Sequence, residues 1–200
     1  MRDYVHYDRF LDRLSLDVYP ELPGAIADMV TGQVMGDLVR GGILVPGLRI
    51  LDIGCGQGVA LERFRDHGLT AEGITLGTDY EVCLNKGLRV HQMDQNFMTF
   101  ADGAFDFLWC RHVLEHSVAP FFTLSEYLRI TRPGGRIYVE VPAPDTSAHH
   151  ERNPNHYSVL PDCLWQALFA RAGLTLEGRV VLNFELACGP DEYWAYLLRR

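Results

Sequence analysis

The chain has 200 residues, of which 48% are hydrophobic and 22% charged, which is typical of a globular protein and sufficient for one domain with a buried core. Its formal net charge of −8 repels phosphate backbones, so we expect no nucleic-acid partner. Five cysteines without a C-x-x-C pair favour free thiols in a reducing compartment, and we expect the cytoplasm. The sequence has neither a secretory signal nor an apolar run of membrane-spanning length, so we also expect no membrane partner.

Two helices are predicted in the first part of the chain. Helical spacing covers residues 4–16, and residues 24–40 carry apolar side chains on one face before a Gly-Gly stop. We predict that residues 1–42 form an N-terminal helical cap and that 43–200 form the main domain. The aromatic first helix either packs in the core, as such residues usually do, or forms a lid over a site; the predicted fold includes it as a lid.

From residue 48 onward, short apolar strands alternate with helices. Strands are predicted at 49–54, 70–75, 88–93, 105–110, 136–141, within 174–186 and at 193–198, and helices at 60–67, 79–86, 120–132 and 161–172. This alternation is typical of an α/β fold with a mostly parallel sheet. The loops that follow the first four strands then lie at one edge of the sheet, where ligands bind.

The segment LDIGCGQG (51–58) lies where the first strand turns into the next helix. Its alternating glycines allow sharp turns and close approach of a ligand, and the helix that follows offers unpaired N–H groups. Val59 occupies the place where a dinucleotide fingerprint has its third glycine, so a nicotinamide-linked oxidoreductase is disfavoured. Asp52, two residues before the first glycine, suits a ligand with an ammonium group better than one with a pyrophosphate.

Four segments together resemble the class I S-adenosylmethionine (SAM)-dependent methyltransferases, and more narrowly the small-molecule enzymes with an "hVLEH" signature. They are LDIGCGQG (51–58), QMDQNF (92–97), FADGAFDFLWCRHVLEH (100–116) and ITRPGGRIYVEVP (130–142). The resemblance implies a Rossmann-like, doubly wound seven-stranded sheet with helices on both faces. It also implies SAM as cofactor, S-adenosylhomocysteine as product, and methyl transfer to an O or N atom of a metabolite, sugar or natural product. The alternative is a catalytically inactive SAM-fold binding or regulatory subunit. The oligomeric state stays open, with a homodimer as one option.

By this resemblance, the cofactor-binding residues are Asp52, Gly54, Cys55, Gly56, Gly58, Thr75, Leu76, Asp94, Gln95, Asn96, Arg111 and His112. Residues 52–58 would line the methionine half of SAM. Asp94 would accept a hydrogen bond from the adenine amino group, with the Gln95 backbone beside it. Arg111 and His112 would close the pocket near the sulfonium, whereas Asp106 is expected to hold the fourth strand in place.

The second strand departs from the family pattern. In this family it usually ends in an acid that binds both ribose hydroxyls, but here Thr75 stands at that place. A Thr hydroxyl offers one neutral hydrogen bond instead of a charge-assisted pair. Asp79 is a candidate substitute, although its position at a helix start favours a capping role.

The candidate catalytic residues are His112, Glu115, His116 and His150. The first three share one face if they lie on a helical turn. His150 belongs to the polar loop 143–159, which is predicted to form the substrate wall. Glu115 and His116 are either structural or part of a base-catalysed site, with His112, His116 or a histidine of 149–156 as the base. A divalent metal site is a further alternative, which we do not favour because metal-assisted families carry a second carboxylate where this chain has His112.

Overall fold

Helices and strands alternate along the chain in the predicted order. The computed structural model describes residues 3–15 and 24–200. The helices are α1 (Val5–Ser15), α2 (Ala25–Arg40), α3 (Val59–Asp66), α4 (Asp79–Asn85), α5 (Pro120–Ile130) and α6 (Asp162–Arg171). The strands are β1 (Ile50–Ile53), β2 (Ala71–Thr75), β3 (Val90–Gln92), β4 (Phe105–Arg111), β5 (Thr131–Pro142), β6 (Thr175–Leu186) and β7 (Gly189–Arg199). Leu16, the predicted last residue of the first helix, lies outside the described residues.

All seven strands belong to one sheet, with the order β3-β2-β1-β4-β5-β7-β6. Strands β1 to β5 pair in parallel, and β7 is antiparallel to both β5 and β6. The predicted mostly parallel seven-stranded sheet is therefore confirmed. The chain order of the strands reverses between β1 and β4, which creates a crevice at their carboxyl ends where ligands bind in such sheets.

Helices cover both faces of the sheet, as predicted. Successive residues of a strand point to opposite faces, so Ile50 of β1 packs with α2 and α3 while Leu51 packs with α5 and α6. Met35 of α2 belongs to the same core cluster as Ile50 and Phe64. In α1, by contrast, Leu11 and Leu14 are the only side chains described as half-buried, and both reach the crevice. The boundary between a cap (1–42) and a main domain (43–200) stays a prediction.

Strand β5 begins five residues before the predicted start at residue 136. Thr131 pairs with Phe105 ahead of a register shift, so the glycine-rich turn is contained within the strand. A side chain at Gly135 would meet the Asp106 carbonyl oxygen at 2.9 Å, which explains the need for glycine there. Asp106 accepts a hydrogen bond from the Arg49 backbone (2.7 Å) and pairs with Arg132, consistent with the structural role expected of it. Among the described residues, no helix combines the length and apolar character needed to cross a membrane.

Candidate active site

A cavity of about 220 Å³ opens at the carboxyl ends of β1 to β4. Eight of the twelve predicted cofactor-binding residues line it: Gly54, Gly56, Thr75, Leu76, Asp94, Gln95, Asn96 and His112. The rest of its wall is formed by Leu11, Leu14, Ile74, Asp79, Met93, Val113, Val118, Asn155 and Tyr157, together with the predicted His116. None of the described lining residues is Lys or Arg, so the cavity offers no lysine or arginine to a pyrophosphate.

The glycine loop has no room for a side chain at Gly54 or at Gly58. Gly54 has a φ of +65°, and a Cβ there would lie 2.4 Å from one methyl group of Val113 and 2.8 Å from the other. Cys55 donates its backbone N–H to the Ile74 carbonyl at 2.9 Å, which joins the loop to β2. Gly58 has a φ of +86° and precedes α3 as its N-cap. The loop therefore has one fixed shape against the cavity.

We expect Gly54→Ala to destabilise the protein strongly and to abolish ligand binding in the cavity. The left-handed conformation alone costs alanine about 1–2 kcal/mol, and Val113 adds a steric clash because its branched side chain has few alternative rotamers. Gly68→Ala is the matched control, because Gly68 also has a positive φ (+70°) but a Cβ added there would have no neighbour within 4 Å. Urea unfolding compares the two variants, and equal losses would contradict a specific contact at Gly54.

Asp52 and Cys55 do not line the cavity. Asp52 is buried, and its Oδ2 atom has no hydrogen-bond partner among the described residues. Burial raises the pKa of Asp52 well above its usual value, and the nearby Arg111 partly opposes this. A buried carboxyl group with an unpaired oxygen suits a cationic or N–H-donating ligand group. The sulfur of Cys55 packs against Gly73, where an added Cβ would meet it at 2.7 Å.

The loop after β3 presents Asp94 to the cavity and uses the next two side chains to hold itself in place. Gln95 donates to the Val113 carbonyl (2.9 Å) and accepts from the Tyr127 hydroxyl (2.6 Å). The Asn96 side chain donates to Asp94 Oδ1 at 2.7 Å. The side chains of Gln95 and Asn96 thus have structural partners, and Asp94 is the ionisable group that this loop contributes to the cavity wall.

His112 follows β4 in a left-handed conformation (φ +54°) and lies between two buried glutamates. Its Nδ1 is 3.4 Å from Glu115 Oε1, and its Nε2 is 3.1 Å from Glu140 Oε1. Burial lowers the pKa of His112, but the two carboxylates outweigh it and raise that pKa to about 9. At neutral pH the ring is therefore an imidazolium with a proton on each nitrogen. Such a ring lacks the lone pair that a general base needs, which removes His112 from the base candidates.

Glu140 connects His112 to the interior of the sheet. It is fully buried on β5 and accepts a hydrogen bond from the Tyr138 hydroxyl at 2.5 Å. Arg111 Nε lies 2.8 Å from Glu140 Oε1, so the Arg111 side chain turns to β5 and does not line the cavity as the resemblance implied. The backbone N–H of His112 also donates to the Glu140 carbonyl at 2.9 Å. Glu140 therefore fixes both the ring and the backbone of His112.

His116 lines the cavity and lies close to His156 and Glu115. The predicted helical turn over residues 112–116 is instead a 3₁₀ helix at Leu114–His116, and His112 lies outside it because of its left-handed backbone. His116 Nδ1 is 2.8 Å from the Asn155 carbonyl, and because a carbonyl oxygen only accepts, this nitrogen carries a proton. Ligand atoms of Glu115, His116 and His156 all lie within 4.8 Å of one another, an arrangement that can hold a metal ion.

His150 lies behind this group and does not line the cavity. Its Nε2 is 3.0 Å and 3.1 Å from the two carboxylate oxygens of Asp191, which is buried on β7. The His150 carbonyl lies 3.0 Å from His156 Nδ1, and the two rings stack with centroids 5.9 Å apart. Burial lowers the pKa of His156, which keeps this ring neutral. The predicted catalytic residue His150 is therefore placed as a support for His156.

Several residues of this site have no local sequence motif. Asp191 and Tyr193 belong to the β6–β7 hairpin, and Tyr193 contacts the ring of His112 with centroids 4.1 Å apart. Glu140 did have a signal, because a single acid within an apolar strand that is buried on both faces must find a partner. Leu11 and Leu14 follow the helical spacing of α1, and the structure places them on the cavity wall.

A family model described as a methyltransferase domain matches residues 6–177. The chain belongs to this family, and its fold is that of the class I SAM-dependent methyltransferases. Residues 6–177 include every residue that the glycine loop, β1 to β5 and the histidine cluster contribute to the site.

Its curated relatives include methyltransferases of quinone biosynthesis. The chain is 33% identical over 100 residues to a ubiquinone biosynthesis O-methyltransferase of Methylococcus capsulatus, covering 46% of this chain and 42% of that protein. It is 28% identical over 162 residues to one from Pseudomonas aeruginosa, covering 75% and 62% of the two chains. It is also 28% identical over 151 residues to a demethylmenaquinone methyltransferase of Renibacterium salmoninarum, covering 64% and 62%. The chain thus spans less than two thirds of the length of these relatives.

Solved structures share the fold at low sequence identity. A SAM-dependent methyltransferase from Archaeoglobus fulgidus matches with a TM-score of 0.67 and 21% identity, covering 85% of this chain and 94% of that chain. The [4+2]-cyclase SpnF matches with a TM-score of 0.72 and 19% identity, covering 98% and 93%. At these identities the likeness concerns the fold alone.

Proposed function

We propose that this protein is a SAM-dependent methyltransferase that acts on an O or N atom of a small molecule. The observation that carries the proposal is the cavity itself, which the glycine loop, the carboxylates of Asp79 and Asp94, and His116 line together. The names of the curated relatives support a small acceptor, since all three concern quinone biosynthesis or modification. The site fits SAM because this cofactor carries an ammonium, an adenine amino group and ribose hydroxyls, which are donors for acidic partners, and no phosphate.

Different residues around the cavity would bind different parts of the cofactor. Asp52, which is buried and has one oxygen without a hydrogen-bond partner among the described residues, would accept a hydrogen bond from the methionine ammonium. Asp94, which follows β3, would accept a hydrogen bond from the adenine amino group. When bound, SAM supplies a methyl group activated by its sulfonium, and the protein's contribution is then mainly to align the acceptor with that methyl group.

His116 would act on the acceptor as a general base. An alcohol or phenol loses a proton as its oxygen forms the bond to the methyl carbon, and a protonated amine must lose one before its nitrogen can form that bond. In the tautomer that donates Nδ1–H to the Asn155 carbonyl, His116 would take this proton on Nε2. Leu11, Leu14 and Tyr157 line the same cavity and would pack against the carbon skeleton of the acceptor.

Calorimetric titration with S-adenosylhomocysteine tests the cofactor site. We expect the wild type to bind, and Asp94→Asn to weaken binding by about 1–3 kcal/mol because one hydrogen bond to the adenine is lost. Asp102→Asn is the matched control, since Asp102 is an exposed acid further along the same segment that pairs with Arg129. If the wild type fails to bind, the enzyme proposal is wrong and an inactive binding or regulatory subunit replaces it.

The Glu115, His116 and His156 cluster supports a second mode, in which a divalent cation lowers the pKa of the acceptor hydroxyl. We do not favour it, because the cluster has only one carboxylate while His112 occupies the place of a second. Activity measured before and after treatment with a chelator separates the two modes. Loss of activity that returns on adding Mg²⁺, Mn²⁺ or Zn²⁺ would replace base catalysis by His116 with metal assistance.

Three further expectations belong to this proposal. We infer a cytoplasmic location, and five cysteines without a C-x-x-C pair support it. A homodimer is the oligomeric state to test by sedimentation. The helix α1 would serve as a lid, because Leu11 and Leu14 contact the cavity while the rest of its described side chains are exposed.

A further inference from the structure

Asp79 faces the cavity and does not cap its helix. The N-cap position of α4 belongs to Thr78, and no side-chain hydrogen bond caps this helix. Asp79 is only 7% exposed, and it lines the cavity beside Thr75 and Leu76 at the end of β2. The capping role expected from the sequence is therefore wrong, and a buried carboxylate remains to be explained.

Helix α4 fixes this carboxylate relative to the glycine loop. Asp79 Oδ1 accepts a hydrogen bond from Gln57 Nε2 at 3.2 Å. One turn later, Cys83 Sγ contacts the Gly56 carbonyl at 3.2 Å, and Lys86 Nζ donates to the Gln57 carbonyl at 2.8 Å. Asp79 and Cys83 lie one turn apart on one face of α4, and Lys86 follows at the C-cap of the helix. Asp79 is thus preorganised at the cavity and has a second oxygen, Oδ2.

The second oxygen lies close to the glycine loop. A Cβ built on Gly56 would lie 3.9 Å from Asp79 Oδ2, and both residues line the cavity. Thr75, the strand-end residue next to it, is 6% exposed and carries one hydroxyl. Together they form a site for two adjacent hydrogen-bond donors, which a carboxylate accepts well in a charge-assisted pair.

The strand order indicates which part of SAM would lie there, and this step depends on the proposed function. Asp94 follows β3, Asp79 follows β2 and His116 follows β4, while the sheet order is β3-β2-β1-β4. In SAM the ribose connects the adenine to the sulfonium. With adenine beside Asp94 and the methyl group beside His116, the ribose lies between them, at the end of β2.

We propose that Asp79 binds the vicinal hydroxyls of the cofactor ribose, with Thr75 as a neutral second partner. The acid that usually ends the second strand is thereby replaced by an acid in the first turn of the following helix. The sequence departure at Thr75 then moves the ribose contact and does not remove it.

Calorimetry with four ligands tests this assignment on the wild type, Asp79→Asn and Glu81→Gln. The ligands are S-adenosylhomocysteine, its 2′-deoxy analogue, 5′-methylthioadenosine, which lacks the amino acid tail, and 5′-methylthio-2′-deoxyadenosine. We expect D79N to weaken both ribose ligands by about 10- to 100-fold. The deoxy ligands keep only the 3′-hydroxyl, so D79N should weaken them clearly less than it weakens the ribose ligands. E81Q, an exposed acid on the same helix, should change nothing.

Each other outcome overturns a specific statement. A loss confined to S-adenosylhomocysteine and its deoxy analogue would assign Asp79 to the ammonium group instead. An equal loss for all four ligands would mean that Asp79 only supports the loop through Gln57. A wild type that binds none of them refutes the proposed function itself, whereas tight wild-type binding with an unaffected D79N refutes only the ribose assignment. Thermal melting verifies folding, and Asp79→Ser replaces D79N if that variant is unfolded.

Discussion

His116→Asn is expected to lower kcat by about 10²- to 10⁴-fold while leaving the affinity for S-adenosylhomocysteine within about twofold. Asparagine keeps an N–H donor for the Asn155 carbonyl, which His116 contacts at 2.8 Å, so the wall of the cavity should keep its shape. It lacks the basic nitrogen that would take the proton of the acceptor. The measurement is steady-state methyl transfer to an acceptor found by screening quinol and phenol substrates, together with calorimetry for cofactor-site binding.

His67→Asn serves as the control for this variant, since His67 is exposed at the end of α3. His156→Asn distinguishes a base from a metal ligand. A base mechanism predicts a small effect of H156N on kcat and none of a chelator, whereas metal assistance predicts that H116N, H156N and the chelator all abolish activity. Loss of S-adenosylhomocysteine binding in H116N at unchanged kcat would contradict a catalytic role.

The fold was predictable because local chemistry marks the ends of most elements. Helix α3 was expected at 60–67 and is found at Val59–Asp66, since Gly58 and Gly68 delimit it on both sides. Strand β5 was predicted too short, because its first residues enclose a glycine-rich turn that normally ends a strand. Only pairing of Thr131 with Phe105, a contact with a distant segment, extends it.

The residues of the candidate site also fall into those that a local sequence pattern indicates and those that only distant contacts define. The glycine loop and residues 112–116 could be found because each is a contiguous pattern with its own chemistry. Asp191 could not, because its partner His150 is 41 residues away in sequence and the contact depends on how the β6–β7 hairpin folds over the loop. Asp79 shows a different limit, since an acid at a helix start has the same sequence signal whether it caps the helix or faces a cavity.

The role of His112 could likewise not be predicted from the local sequence, because it depends on the charge of a residue that is distant in the chain. The H-x-x-E-H pattern suggested a histidine available for catalysis, and Glu115 was recognised as its neighbour. The second partner, Glu140, lies 28 residues away on the adjacent strand and changes the chemistry of the ring. With two buried carboxylates against it, the imidazole is held in its charged form, which leaves His116 as the base that the cavity contains.

We expect the stability of the protein to depend on pH through His112. Its pKa is about 9 in the folded protein, against about 6.5 in an unfolded chain. A pKa that is higher in the folded than in the unfolded state stabilises the folded protein fully at pH values below the unfolded-state pKa. This stabilisation is lost as the pH rises through the folded-state pKa. Between pH 7 and pH 10 the wild type should therefore lose about 2–3 kcal/mol of unfolding free energy that His112→Gln does not lose.

Urea unfolding of both proteins at intervals from pH 6 to pH 10 measures this difference. H112Q should also be less stable at pH 7 by about 3–5 kcal/mol, because two buried carboxylates then lack their shared cation. His91→Gln is the control, since His91 contacts Glu72 at 2.6 Å but is partly exposed to solvent. If the wild-type and H112Q curves stay parallel over the whole range, His112 is neutral when folded and becomes a base candidate again. Glu140→Gln provides an independent check, because removing one carboxylate should move the loss of stability to lower pH while Glu115 still holds part of the charge.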